Sequence, residues 1–532
     1  MAAATPISRP KAERQQPSHK WLVALAVMLG TALEVLDTSI INVALPHMQG
    51  TFSASVDEIA WVVTSYLVAN GIMIPMTGWV SSRFGRKRYF LTSVFVFVSA
   101  SVLCGAAQSL NQMVLFRLLQ GAAGAAMIPS SQAILMETFP PEEQQLAMAM
   151  WGMGLMVAPI AGPSLGGWIT DNWSWRWNFY INVPFGMLAF LMVSTFLHDP
   201  EFMHERRARG GRIDYAGIVL LVVSLGALQL VLDRGQRADW FASPWVVYVT
   251  GLSVLSFLLL IWRELKFSDP ILDLHIFKER AFIVAVVLTL AMSFVLFGSI
   301  LLTPLFLQEL LGYSAWKTGV VQAPVGLGSM FAMMVAGQLA SAGYNTRPLV
   351  GVGFILLAIG AWLMSGMNLQ VSMWSVVSRS FIMFSGCGLI FPNTSAAALS
   401  CVAPERIGHA SSLYNMLRNT GAAIGIAFMT NTLVSHQQIH QSRLVEHFSV
   451  FDAWKLSTMA PVLPGSPRFD YLGQITSGQP QGLGLLYHMV QAQAAMLAFN
   501  DIYRTIALAL IPLIPLFLLM PRSRNAGPLA AH

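Results

Sequence analysis

Residues 21–45 read WLVALAVMLGTALEVLDTSIINVAL, an apolar run interrupted by two acids, Glu34 and Asp37. A bilayer core is crossed by about 20 mostly apolar residues, so this run is long enough to span. It is too long and too acidic for a signal peptide and reads as a retained first span. Twelve of the thirteen further runs of this kind begin before residue 410, at 57–79, 89–107, 112–135, 145–169, 178–197, 213–232, 244–262, 282–307, 317–340, 347–367, 372–399 and 408–433. The last is 497–520. The expectation is an all-α membrane protein with fourteen transmembrane helices.

Composition agrees. Hydrophobic residues make up 55% of the 532 positions and charged residues 11%, against roughly 25% charged in soluble domains. The net charge of +6 does not argue for nucleic acid, because the basic residues stand in short clusters between apolar runs. Cys104, Cys387 and Cys401 lie in or at the ends of apolar segments, without metal-like spacing or any sign of a disulfide framework. No nucleotide loop, metal cluster or nucleophile motif is visible, so enzyme function has no support and no cofactor or metal is expected.

With the N-terminus placed inside, the inside connections hold 20 Lys and Arg and the outside connections 7. Such an excess marks the cytoplasmic side. Both termini are therefore expected in the cytoplasm, with tails at 1–20 and 521–532 and a long outer loop at 434–496. A faint internal repeat pairs Gly78-Trp79-Val80-Ser81-Ser82-Arg83-Phe84-Gly85-Arg86 with Gly337-Gln338-Leu339-Ala340-Ser341-Ala342-Gly343. Two similar halves around a midplane site are a common transporter plan.

Charges within spans cost a few kcal/mol and need a reason. Glu34 and Asp37 are three apart, on one helix face. Two carboxylates so close in low dielectric cannot both ionise cheaply, and a carboxylate that titrates near physiological pH is what proton coupling requires. The rival is an acid held structurally by an arginine. Arg117, Gln120, Gly121 and Gly124 share one face of the fourth span, which makes Arg117 a candidate partner for Asp37. Its rival reading is an arginine snorkelling to the outer interface. In the fifth span Gly154, Ala158, Gly162 and Gly166 recur every four residues, allowing close helix approach, with Gly167 beside them. Pro159 and Pro163 in that span are expected to bend it. Asn415, Arg418, Gly421 and Gly425 share a face of the thirteenth span. Arg418 near mid-depth is expected to face the interior, with Glu309 or another acid as its structural rival. Gln120, Asn415 and Arg418 are candidates for a substrate cavity that soft Met and Phe side chains also line.

The stretch Leu36-Asp37-Thr38-Ser39-Ile40-Ile41-Asn42-Val43-Ala44-Leu45-Pro46 resembles the first-span signature of the fourteen-helix drug:proton antiporters of the major facilitator superfamily, the EmrB/QacA type. Residues 78–88 resemble that superfamily's cytoplasmic loop between helices two and three. Arg117-Leu118-Leu119-Gln120-Gly121 resembles its fourth-helix motif, and residues 154–167 the antiporter motif of helix five. Residues 175–184, 312–315 and 440–447 are similar to stretches typical of this branch.

The resemblance implies two six-helix bundles, here 21–197 and 282–520, with two extra helices within 198–281. It implies alternating access at the bacterial inner membrane, driven by protons and expelling lipophilic or amphipathic molecules. Asp37 and Arg117 match the proton-relay positions, with Glu34 beside them; Gly78, Arg83, Gly85 and Arg86 match the gating loop. A periplasmic adaptor and an outer-membrane channel are implied as partners, within reach of the outer loop. One departure stands out: Ser82 occupies a position where the loop signature has an aspartate. The rivals are a proton-coupled uptake symporter on the same fold, or a membrane sensor or channel. The helix-five motif argues against the first. The second predicts a soluble signalling domain or a repeated pore loop, and neither is visible.

Overall fold

The computed structural model describes residues 19–199, 213–267, 270–446 and 480–520, and every regular element among them is helical. Fourteen of these helices are long enough to cross a bilayer at 1.5 Å per residue. They are α1 (Lys20–Phe52), α2 (Asp57–Phe84), α3 (Arg86–Ala106), α4 (Leu110–Thr138), α5 (Gln144–Asn172), α6 (Trp177–Phe196) and α7 (Tyr215–Arg234). There follow α8 (Pro244–Glu264), α9 (Arg280–Leu310), α10 (Ala315–Ser341), α11 (Arg347–Met364), α12 (Met373–Ser400), α13 (Ile407–Glu446) and α14 (Pro480–Leu510). A 3-10 segment, Ile511–Leu519, prolongs α14.

Thirteen of the fourteen are also apolar enough to span. The exception is α13, whose His409, Ser411, Ser412, Asn415 and Arg418 are all buried. It packs against α2, α4, α9 and α14, so these polar groups meet protein and not lipid, the setting in which a membrane interior tolerates them.

The helices form two six-helix bundles, with α7 and α8 between them in the chain. In the first, α1 packs on α5 and α6, α2 on α4, and α3 on α4 and α6. The second repeats this eight helices later: α9 on α13, α10 on α12, and α11 on α12 and α14. The bundles meet where α5 lies along α10 and α13 along α2 and α4. The repeated sequence motifs fall at equivalent places in these seams. A Cβ on Gly78 would lie 2.7 Å from the Gly408 carbonyl oxygen and the His409 Cα at the start of α13; one on Gly337 would lie 2.8 Å from the Ala149 Cβ near the start of α5. Such approach is open only to the smallest residues.

Helix α7 leans on α2 and α13, and Thr64 Oγ1 donates to Asp233 Oδ2 at 2.5 Å across the first contact. Asp214 caps α7 by accepting from the Gly217 N–H at 2.8 Å, and also accepts from Arg263 Nε of α8 at 2.7 Å.

Two boundaries differ from the sequence reading. The second helix continues to Phe84, passing through a 3-10 turn at Ile74–Met76 where Pro75 removes an N–H donor. The loop expected over 434–496 is shorter, because α13 continues to Glu446 and α14 begins at Pro480. The polar residues after 433 contain no Gly or Pro, so nothing stops the helix at the membrane edge. Residues 434–446 and 480–496 of the stretch assigned to the loop are thus helical, Lys20 already belongs to α1, and residues 1–18 and 521–532 of the two tails lie outside the described residues.

Candidate functional site

Close packing of α5 on α1 sets the position of the two acids. A Cβ on Gly162 would stand 2.5 Å from Ser39 Cβ, and one on Gly166 2.8 Å from Ile40 Cγ2. Gly154 faces Met28 and Gly167 faces Val43 of the same helix. The stripe therefore serves the α1–α5 contact, and α5 runs as one helix through Pro159 and Pro163. On α4, Gly121 brings its backbone against the Tyr66 carbonyl of α2.

Asp37 and Arg117 are each 1% exposed, and Arg117 Nη1 lies 2.6 Å from Asp37 Oδ2. Gln120 Nε2 donates to Asp37 Oδ1 at 2.9 Å, and Asn182 Nδ2 of α6 donates to the same oxygen at 2.8 Å. Arg117 also donates to the Val62 carbonyl at 3.1 Å and to Gln120 Oε1 at 2.8 Å, and its guanidinium lies 4.2 Å from the Tyr66 ring centroid. Asn182 reaches Ser101 Oγ at 3.0 Å, and Ser101 donates to the Phe179 carbonyl at 2.8 Å. Asp37 thus accepts three N–H donors, one of them cationic. This burial rules out the snorkelling reading of Arg117.

Glu34 is also buried but faces other partners. Asn70 Nδ2 of α2 donates to its Oε1 at 2.9 Å, while Oε2 has no hydrogen-bond partner among the described residues. The two acids, one helical turn apart, look in different directions. Glu34 and Arg418 of α13 lie close enough for their charges to act on one another. Arg418 thus lies within electrostatic range of Glu34 without an ion pair to it among the described residues, while Glu309 lines a separate cavity with Phe306, Gln437 and His488. Arg418 is 5% exposed, its Nε lacks a hydrogen-bond partner among the described residues, and its guanidinium lies 6.0 Å from the Phe391 ring centroid. With Met156, Met292, Leu296, Met333 and Phe391 it lines a small cavity of about 30 Å³ at the seam between the bundles.

The other candidates fall elsewhere. Asn415 points across the seam to α4: its Nδ2 donates to Gln132 Oε1 at 2.6 Å, while Ser411 Oγ donates to the Pro129 carbonyl at 2.8 Å. Gln120 belongs to the Asp37 cluster and not to the cavity. In the loop after α2, Gly85 has φ +91°, a region that L side chains rarely adopt. Arg86 pairs with Glu137 of α4, Arg83 stacks near Trp79, and Ser82 Oγ donates to the Trp79 carbonyl of its own helix at 2.8 Å. Sequence reasoning passed over Asn70, Ser101, Gln132 and Asn182. Each is a polar residue inside an apolar run, the signal that singled out the charged residues.

A multi-pass, all-helical protein with two repeated bundles, buried ion pairs and a cavity at their seam has the build of a secondary transporter. The sequence profile of the Major Facilitator Superfamily matches residues 27–426. The chain is 35% identical over 488 residues to the "Multidrug export protein EmrB" of Escherichia coli (strain K12), covering 91% of each chain. It is 34% identical to the "Fatty acid resistance protein FarB" of Neisseria gonorrhoeae, covering 95% of this chain and 97% of that one. The solved structure of the proton:xylose symporter XylE aligns over 96% of this chain and 97% of that one at 15% identity, with a TM-score of 0.58, and so shares the fold. The chain belongs to the Major Facilitator Superfamily and is a multi-pass protein of the bacterial inner membrane.

Proposed function

We propose that this protein expels lipophilic small molecules from the cytoplasm in exchange for protons. The observation that carries the reading is Glu34: a buried carboxylate with one oxygen unpartnered among the described residues, at the bundle seam, within electrostatic range of an arginine that lines an apolar cavity. A proton and a substrate that both act on this pair compete, which is the requirement for antiport. The names of the relatives, multidrug export and fatty acid resistance, support the outward direction.

In this conformation both Asp37 oxygens accept N–H donors, whereas Glu34 Oε2 has no hydrogen-bond partner among the described residues, so Glu34 can receive a proton without displacing a donor. The Asp37–Arg117 pair is the second element of the relay. It links α1, α4 and α6, and it yields its proton site only when those helices shift. Gly78, Arg86, Gln132 and Asn415 form the gate, closed here at the end that the basic residues assign to the cytoplasm. Both termini then lie in the cytoplasm, and the drive is the proton gradient, with no cofactor. The connection between α13 and α14 faces the periplasm, where an adaptor leading to an outer-membrane channel would dock.

The test is proton-driven uptake of a fluorescent lipophilic dye by everted membrane vesicles. Accumulation that collapses with the pH gradient supports export. Accumulation only in right-side-out vesicles favours uptake instead. Reporter fusions at residues 210 and 460 check the orientation, with 210 expected inside and 460 outside.

A further inference from the structure

Away from the seam, α13 and α14 bring together side chains that neither the relay nor the gate uses. His436 and His440 are four residues apart on α13, so their imidazoles leave one face of the helix. Asp501 of α14 stands opposite. Its Oδ2 lies 3.0 Å from His436 Nδ1 and 2.7 Å from His440 Nε2, and the three ligand atoms lie within 4.8 Å of one another.

We propose that His436, His440 and Asp501 bind a divalent cation of the Zn²⁺ kind, clamping α13 to α14. Two imidazole nitrogens and one carboxylate oxygen are a ligand set that zinc uses in open sites, with water in the fourth position. Calcium and magnesium prefer all-oxygen sets, so the imidazoles select against them. Ligands about 2.0–2.2 Å from a tetrahedral zinc stand roughly 3.3–3.5 Å apart. The two carboxylate–imidazole separations reach that geometry by opening less than an ångström, and the two imidazole nitrogens, within 4.8 Å of one another, by drawing together at most about 1.5 Å, within the freedom of three side chains.

The side chains are half-buried, with exposures of 39% for His436, 18% for His440 and 38% for Asp501. The ion therefore has a route in, and a water can complete its shell. Asp501 is 61 residues from His440 along the chain, which is why no metal spacing shows in the sequence. Both helices belong to the second bundle, so the clamp stiffens that bundle without bridging the seam.

The experiment uses the full-length protein, purified in detergent, stripped with chelator and titrated calorimetrically with Zn²⁺ alone. One equivalent is expected to bind. Affinity should fall at least about tenfold in Asp501→Asn, and the site should vanish in the double variant His436→Ala/His440→Ala, each compared as a monodisperse sample. Co²⁺ added to the unaltered protein gives a second readout that needs no variant: an intense visible ligand-field band of tetrahedral nitrogen and oxygen coordination. Zinc binding that survives undiminished in the double variant overturns the proposal. So does the absence of that band in the unaltered protein.

Discussion

Arg117 Nη1 stands 2.6 Å from Asp37 Oδ2, a contact between residues 80 apart in the chain and each 1% exposed. The pair ties α4 to α1 inside the first bundle, and Asn182 extends it to α6. Its consequences are both energetic and mechanistic.

Asp37→Asn removes the charge that neutralises a buried guanidinium. Breaking one side of such a pair costs about 3–5 kcal/mol, so the variant should unfold at clearly lower temperature in detergent. Proton-driven export should be lost as well. The double variant Asp37→Asn/Arg117→Met, with no stranded charge, should recover much of the stability and none of the export. Thermal unfolding and vesicle transport together check this. A single variant as stable as the parent would mean that Arg117 has found another acid.

Glu34→Gln behaves differently. The Asn70 amide can still donate to the new carbonyl oxygen, and Glu34 forms no ion pair among the described residues, so stability should change by about 1 kcal/mol or less. Export should no longer respond to the pH gradient, while substrate still binds. Dye accumulation across a range of imposed gradients reads the first part and equilibrium binding the second. A normal gradient response in Glu34→Gln would return the proton to Asp37.

Asn415→Leu deletes the amide that reaches Gln132 across the seam and leaves the buried Gln132 Oε1 only the longer contact from Ser411 Oγ at 3.2 Å. A penalty of about 1–3 kcal/mol on the closed form alone shifts a two-state population roughly fivefold to a hundredfold. Single cysteines near Gly78 should then label faster from the cytoplasmic side, with the export spectrum unchanged. Labelling at the parent rate would place the closure elsewhere, at Gly78 against Gly408 or at Arg86 against Glu137.

Gly162→Val puts a branched side chain where a single Cβ already falls 2.5 Å from Ser39 Cβ. Overpacking of this kind costs about 1–3 kcal/mol, and it should push α5 off α1 and so disturb both acids. Thermal unfolding should fall and export should weaken, whereas Gly154→Ala, facing only the mobile end of Met28, should be mild. Equal effects from the two substitutions would contradict an α1–α5 contact centred on Gly162.

The spans were legible because the signal is local: about 20 apolar residues in a row have one low-energy fate in a bilayer. The same holds for the candidate ions Glu34, Asp37, Arg117 and Arg418, since any charge inside such a run demands a partner. Even the repeat was faintly readable, and the structure places Gly78 and Gly337 in matching seams. What the sequence could not decide was which partner each ion meets. Glu34 and Asp37 differ by one helical turn, yet one looks to Asn70 and the bundle seam while the other is enclosed by Arg117, Gln120 and Asn182. That choice depends on the helices brought alongside α1 from as far as 145 residues away. Asn415 shows the same limit: its helix face was predictable, but only the apposition of α13 and α4 turned a cavity candidate into a contact with Gln132. Periodicity fixes the direction of a side chain about its own axis, and tertiary packing alone supplies what lies in that direction.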